Sequence, residues 1–401
     1  MRTFLASSTP ASRQKGVDEV LGEMAGLTYL LEASRLYTVG ALDRGIKPAV
    51  VSAITKYQAT EIHRLVASKA MDIWGGAGIS LGTKNVIARH YQAAPISITV
   101  EGANILTRSM IIFGQGAIRC HPFAYQEIKA LQEGDVTAFD RAFTGHIGRI
   151  VQNVCRLFVL TLTRAIFVRA PASRMACYYR KLNWASTAFV VMSEAAMLLF
   201  GGSLKFREKL TGRFADILSW MYLVTATLRR YEASKSPNEE ILVHYAAQYG
   251  FQRIEGAFQG IYQNIDVPIL GWIFKNVFLR WSRLNPFSAP PRDRLATQIV
   301  EKLIMDASLR DLLTHSGLYL PQDDSERVTQ LEKAYDLVSE VDIVAKKISK
   351  AMRQGLLAKG RPHSRTQEAL EQGLINRKEA EIMAQYKEMY ERIIAVDAFP
   401  A

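Results

Sequence analysis

A helical period runs through almost the whole chain, and it excludes most folds before any single residue is considered. Apolar side chains recur at three- and four-residue steps, which places them on one stripe of a helix and on both faces of a strand. Val17, Val20, Leu21, Met24, Leu27 and Leu31 set the first such run, which stops at Asp43-Arg44-Gly45 with Gly45 as the residue that ends the helix. Pro48 opens a second helix carrying Ile54, Tyr57, Ile62, Leu65, Val66 and Ile73 as far as Gly75-Gly76. After the glycine-rich stretch GGAGISLGT (75–83), a third helix is predicted from near Ala103 to Gly114–Gly116, and the three read as members of an antiparallel bundle. The polar, Pro122-containing segment 120–138 reads as a connection between domains. Helices resume at Phe139 and run to about Arg280. The proline-rich WSRLNPFSAPPRDRL (281–295) then reads as a hinge, and a last helical block ends in EQGLINRKEAEIMAQYKEMYERI (371–393). No strand alternation and no internal repeat interrupts this pattern, so the predicted fold class is all-α.

Size and charge narrow the function classes. A chain of 401 residues that is 49% apolar and 22% charged has room for two or three domains with proper cores. Its formal charge of +12 attracts anions of some kind. No basic stripe interleaved with aromatics accompanies that charge, so nucleic acid is not an expected partner. The segment KFREKLTGRFADILSWMYLVTATLRR (205–230) has instead the look of an amphipathic helix able to lie on an anionic membrane, or of an ordinary packed helix with a solvated basic face. The start MRTFLASSTPASRQKG has no apolar core of signal-peptide length, and the most apolar stretches are broken by Arg156, Arg164 or Glu194, so no bilayer-crossing span is expected. Cys120, Cys155 and Cys177 lack metal-ligand spacing and suggest a reducing compartment without disulfides. His63, His90 and His121 are scattered along the chain, and no metal site is expected.

One carboxylate stands out. In SITVEGANILTR (97–108), Glu101 lies among Ile98, Val100, Ile105 and Leu106, with no Lys or Arg in the five residues before it. Such a charge is either a surface residue favouring the start of the following helix or a group placed for unusual proton affinity. A Gly-Gly pair after a helix is by itself a common helix end.

Taken together, DIWGGAGI (72–79), ARHYQAAPISITVEGANILTRSMI (88–111), FGQGAIRCHPF (113–123), GGSLKFRE (201–208) and GLINRKEAEIMA (373–384) resemble, in order, the C-terminal helical domain of flavin-dependent acyl-CoA dehydrogenases and the helical C-terminal region of the bacterial fatty-acid β-oxidation members. The resemblance spans roughly residues 15–399 and implies a bundle over 1–120 followed by a helical extension over 121–401. It implies FAD as cofactor, with Asp72, Gly75, Gly76, Gly78, Ala103 and Asn104 at the flavin, and Glu101 as the catalytic base with Gly102 against the substrate. It further implies homo-oligomers formed through the bundle, an acyl-CoA substrate, an electron-acceptor flavoprotein, and a bacterial cytoplasmic location peripheral to the inner membrane.

The chemistry suits those residue types. Oxidation of an acyl thioester to the trans-2-enoyl form removes an α-proton as a β-hydride leaves, and a carboxylate buried among aliphatic side chains would be a stronger base than an exposed one. Gly102, lacking a side chain, would permit close approach of ligand. Departures from the family pattern are as specific. An Arg-x-x-Phe signature that contacts flavin pyrophosphate is present only as MRTF, and Ala103 stands where threonine often follows Glu-Gly. No N-terminal helical or β-domain pattern precedes the bundle, so the chain is expected to be the C-terminal portion of a larger dehydrogenase, colourless by itself. The alternative is a non-catalytic helical assembly or membrane-surface module derived from such an enzyme.

Overall fold

The computed structural model describes residues 15–48, 50–82, 85–116, 120–314, 323 and 325–394, and among them it contains helices and turns but no strand. The all-α expectation holds. The MRTF signature lies outside the described residues.

In chain order, α1 is Lys15–Asp43 and α2 is Val51–Trp74; a single turn, Gly76–Ile79, then leads to α3, Ala88–Thr99. The next helix, α4, begins at Asn104–Leu106 and widens into π turns over Thr107–Gln115. It is followed by α5 (Ala124–Glu133), α6 (Val136–Leu162), α7 (Ala176–Phe200), α8 (Glu208–Ser234) and α9 (Glu240–Asn264). Then come α10 (Pro268–Leu284, with π turns at Phe274–Phe278), α11 (Asp293–Met305), α12 (Ala307–Thr314), α13 (Arg327–Arg353), α14 (Thr366–Glu371) and α15 (Arg377–Ile394).

The punctuation follows local chemistry. Gly45 ends α1 with φ 74°, its N–H bonded to Leu42 O and that of Ile46 to Ala41 O, the paired closure that a left-handed residue makes possible. Segment 120–138 departs from its sequence reading, because most of it is helical. Pro122 precedes α5 instead of breaking it, Gly134 (φ 72°) ends that helix, and Asp135 accepts the Ala138 N–H at 2.9 Å to start α6. A further helix, α3, precedes the one predicted from near Ala103 and holds Pro95 within it.

The described residues within 1–22, 64–94 and 315–401 form one compact unit, and those within 23–63 and 95–314 form the other. In the first, α13 and α15 pack through Val344, Ile348, Ala351, Met383 and Tyr386, and Lys347 pairs with Glu379 across them. In the second, the core is α8 against α9. Leu210, Phe214, Ile217, Val224 and Leu228 on α8 meet Leu242, Ala246, Ile254, Phe258 and Ile261 on α9, all buried. Of the two readings of 205–230, the packed helix is the one the structure bears out: α8 buries residues around most of its circumference and is a core helix. Helix α7 with its following turn, 176–206, is long and apolar enough to cross a membrane by length and composition alone. It buries Ala185, Ala188, Met192 and Ala196 within this unit. The three cysteines are free and exposed.

The closeness of α8 and α9 depends on Gly250, where an added Cβ would sit 2.3 Å from Val224 Cγ2, whereas at Gly256 on the same helix it would meet nothing within 4 Å. Gly250→Val is expected to cost about 1–3 kcal/mol through overpacking. Gly256→Ala is expected to be neutral or stabilising by up to about 1 kcal/mol. Urea unfolding of the two variants measures the contrast.

Candidate active site

The turn between α3 and α4 is where the chain spends conformational energy. Glu101 has φ 55° and Gly102 φ 93°. Only glycine adopts the second freely, and a left-handed non-glycine residue costs about 1–2 kcal/mol. What holds the turn comes from α2. The Lys56 ammonium donates to Gly102 O at 2.7 Å and to Asn104 Oδ1 at 2.7 Å, with a longer bond of 3.4 Å to Ile98 O. The Asn104 amide donates in turn to Thr60 Oγ1 and Glu61 Oε1, each at 2.9 Å. Positions 56 and 60 share one face of a helix, and Glu61 follows directly on Thr60. The turn is therefore fastened to a rigid element at both ends.

Beyond the turn, α4 is tied to the core of the same unit. Arg108 makes a two-point bond to Asp216 on α8, at 2.8 and 2.5 Å, and Thr211 Oγ1 donates to Ser109 O at 2.5 Å. Tyr57 donates to Asp216 at 3.3 Å, and burial, reinforced by the Asp216 charge, pushes its hydroxyl up so that it stays a donor. Phe113 stacks on Phe214 with ring centroids 4.5 Å apart.

Glu101 itself is exposed. The sequence reading buried it among aliphatic side chains, and this is corrected: Val100, Ile105 and Leu106 are exposed with it, Ile105 at 81%. The reason is geometric, since the turn is backed by α2 on one side only. Among the described residues its carboxylate makes no recorded hydrogen bond or ion pair. Ala103 is exposed, whereas Asn104 is 2% exposed with its amide spent on the turn.

The glycine-rich stretch lies in the other compact unit. Gly75 takes φ 63° and ψ −140°, a conformation that needs glycine. Asn85, 4% exposed, clamps the segment. Its Nδ2 donates to the carbonyls of Ala77, Gly78 and Ser80 at 2.6–3.0 Å, and its Oδ1 accepts the Ile87 and Ala88 N–H groups at the start of α3. Asp72, Gly75 and Gly76 are exposed, while Gly78 is buried against Met71 O, 3.2 Å from where its Cβ would be. At Gly76 that position is open, so a flat ligand could reach its backbone. Lys56 escaped the sequence reading because it carries no motif and acts on a turn 46 positions away; Asn85 escaped it too, although an Asn three residues before the start of α3 is a helix-start signal.

His121, which looked scattered in the sequence, is joined by folding to His146 and Glu194, with ligand atoms all within 4.8 Å of one another. His121 Nδ1 accepts the Phe123 and Ala124 N–H groups at 3.2 and 2.8 Å. Its proton therefore sits on Nε2, facing Glu194 Oε1 at 2.7 Å. A cation at Nε2 would have to displace that proton and break both backbone bonds. The arrangement suits a proton-sharing cross-link better than a metal. His146 lies between Glu127 at 2.8 Å and Glu194 at 3.1 Å, so the group joins α5, α6 and α7. It borders an apolar cavity of about 710 Å³ that is lined by Val51, Ile54, Phe113, Phe189, Met221 and Tyr222 but not by Glu101.

Burial opposes a charge on His146, but its bonds to Glu194 and Glu127 outweigh that and raise it above the ordinary 6.5. Burial would likewise raise Glu194, yet the two histidines hold it below 4.5. The histidine's contribution is complete below about pH 6.5 and disappears as pH climbs through the raised value; the glutamate's is complete above about pH 4.5 and disappears as pH falls through the lowered one. Urea midpoints are thus expected to peak between about pH 4.5 and 6.5 and to decline on the alkaline side, and this alkaline decline should flatten in His146→Gln.

Residues 118–399 match the family model described as acyl-CoA dehydrogenase, C-terminal, bacterial type, and residues 2–114 match that of the acyl-CoA dehydrogenase C-terminal domain. Among solved structures, the acyl-CoA dehydrogenase of Bacillus anthracis complexed with FAD is similar in fold, at 18% identity and a TM-score of 0.56, over 78% of this chain and 53% of that one. The chain thus spans about half the length of that relative. With its motifs in order and both models matched end to end along it, the chain belongs to the acyl-CoA dehydrogenase family, whose C-terminal helical domain and bacterial-type C-terminal region it carries.

Proposed function

We propose that this chain supplies the base-bearing turn of an FAD-dependent acyl-CoA dehydrogenase that converts fatty acyl-CoA to trans-2-enoyl-CoA, the first step of β-oxidation. The observation that carries this reading is the Glu101 turn. Its carboxylate is uncommitted and its backbone is held in a left-handed conformation by Lys56 and Asn104. Strain kept in place by a dedicated network is characteristic of sites where geometry matters to chemistry.

In the proposed reaction, the Glu101 carboxylate takes the α-proton of the acyl thioester, and Gly102 leaves room for the chain beside it. The exposed Val100, Ile105 and Leu106 would be covered by acyl chain and by the rest of the enzyme, which excludes water from the proton transfer. FAD, when bound, supplies the acceptor for the β-hydride. The backbone at Gly75 and Gly76, open where a side chain would be, fits close approach by the flavin nucleotide, with Asp72 nearby in sequence. Gly78 contributes packing instead, and Asn104 acts through the turn. The exposed Ile79 and Leu81, at 77% and 85%, support an edge covered by another subunit, as a homo-oligomer would provide. Reoxidation by an electron-acceptor flavoprotein and a bacterial cytoplasmic location complete the reading.

The test joins this chain to the N-terminal helical and β domains that the family supplies and follows bleaching of bound FAD by acyl-CoA. Glu101→Gln should retain FAD yet slow bleaching by at least about 10³-fold. Gly76→Val should weaken FAD retention without lowering the melting temperature. Near-parental bleaching in Glu101→Gln would refute the assignment of the base, and equal flavin occupancy in Gly76→Val would refute the flavin contact.

A further inference from the structure

The apolar cavity beside the His121–Glu194 pair takes no part in the proposed reaction, and its described lining belongs wholly to the second unit. Helix α7 sets its length, lining it from Tyr179 to Met197, about 27 Å of helix at the ordinary rise. Its volume of about 710 Å³, drawn out over that length, leaves a mean cross-section of about 26 Å². That shape suits one extended hydrocarbon chain better than a ring system.

The two ends differ in chemistry. Phe189 on α7 meets Phe214 on α8 with ring centroids 6.1 Å apart, and the chain reverses between these helices, so Leu218 and Met221 lie towards Leu182 and make one end apolar. At the other end, His146 bonds Glu194 at 3.1 Å, whereas Arg156 bonds Asn183 at 2.8 Å. Helix α6 thus runs antiparallel to α7, and Arg149, three residues past His146, stands within a turn of the level of Ser193. Both residues line the cavity. Ser193 is 8% exposed, and its buried Oγ has no hydrogen-bond partner among the described residues, although buried hydroxyls ordinarily have one. Elsewhere in the wall, Ser186 donates to Asn183 O and Thr225 to Met221 O. Arg149 is exposed and makes no recorded ion pair among the described residues. The charge of Glu194 is held by His121 and His146, which leaves the guanidinium to an incoming anion.

We propose that this cavity binds a free fatty carboxylate, its head between Arg149 and Ser193 Oγ and its chain laid along α7 towards Leu182 and Met221. A carboxylate answers both groups at once, accepting from a guanidinium at two points and from a hydroxyl. The rest of the wall, apolar with few polar groups to fix orientation, has the character of a small-ligand site. A fatty alcohol would leave the guanidinium unanswered, and an alkylammonium would be repelled by it. Glu101 does not line the cavity, so this site is additional to the turn between α3 and α4 and does not rest on the function proposed for that turn.

The test titrates the full chain with the fluorescent fatty acid cis-parinarate and displaces it with saturated carboxylates of ten to sixteen carbons, with 1-hexadecanol and with hexadecyltrimethylammonium. One saturable site per chain is expected, with affinity rising about fourfold per added methylene while the cavity still has length to cover. The sixteen-carbon carboxylate should outcompete the ammonium at least about tenfold. Arg149→Gln should weaken the carboxylates at least about tenfold and leave 1-hexadecanol unchanged. Ser193→Ala should weaken them about threefold without lowering the melting temperature, since its hydroxyl bonds nothing in the protein. Ser186→Trp, at an exposed position of the wall, should obstruct every chain. Helical content is recorded for each variant; should Ser186→Trp unfold, Arg149→Gln decides by itself. Absence of saturable cis-parinarate binding would overturn the proposal, as would undiminished carboxylate binding in Arg149→Gln. So would an ammonium that binds as tightly as the carboxylate, since the head of the ligand would then not be read by Arg149.

Discussion

The Lys56 ammonium is the group on which the Glu101 turn depends. It reaches Gly102 O and Asn104 Oδ1 at 2.7 Å each, and Asn104 passes the connection back to Thr60 and Glu61 on the same helix. Hydrogen bonds to a charged group contribute about 1.5–3 kcal/mol each, while a left-handed Glu101 costs about 1–2 kcal/mol. Two such bonds outweigh the strain. The carboxylate takes no part in the balance, and for that reason it is left available.

The turn is only as well placed as the helix that follows it. The bonds from Arg108 to Asp216 and from Thr211 to Ser109 fix α4 to α8, and the π turns of Thr107–Gln115 sit at that contact. A widened turn rotates the residues after it relative to an ordinary α-helix, and such turns collect at functional sites. Here it accompanies the stacking of Phe113 on Phe214 and its edge contact with Phe189. Because α8 and α9 are locked at Gly250, the rigidity of this core extends to the turn.

Helix positions, the end of α1 at Gly45 and the Val-Glu-Gly-Ala-Asn motif were legible because each is a local pattern. Periodicity, a left-handed glycine and a contiguous motif need only neighbours in sequence. Lys56 and Asn85 were not legible. Lys56 is an ordinary lysine of a helix until folding brings Gly102 to it, 46 positions later, and Asn85 gains its role only when three carbonyls converge on it. The misread helices show the same limit. Pro122 reads as a break in a segment whose helix α5 packs on α6, and the choice between a surface and a packed helix at 205–230 is made only by the α9 that covers it. Burial of Glu101 was inferred from the character of its neighbours in sequence, and those neighbours are themselves exposed.

The central claim is that Lys56 keeps the Glu101 turn formed before any ligand arrives. Amide hydrogen exchange tests it without cofactor or substrate, by comparing residues 100–107 in the parent chain and in Lys56→Met. If the claim holds, exchange there rises at least about tenfold in the variant, equivalent to about 1.4 kcal/mol and so within what loss of the Lys56 bonds supplies, while amides of the α8–α9 core are unchanged. Identical exchange over 100–107 in both proteins would contradict it.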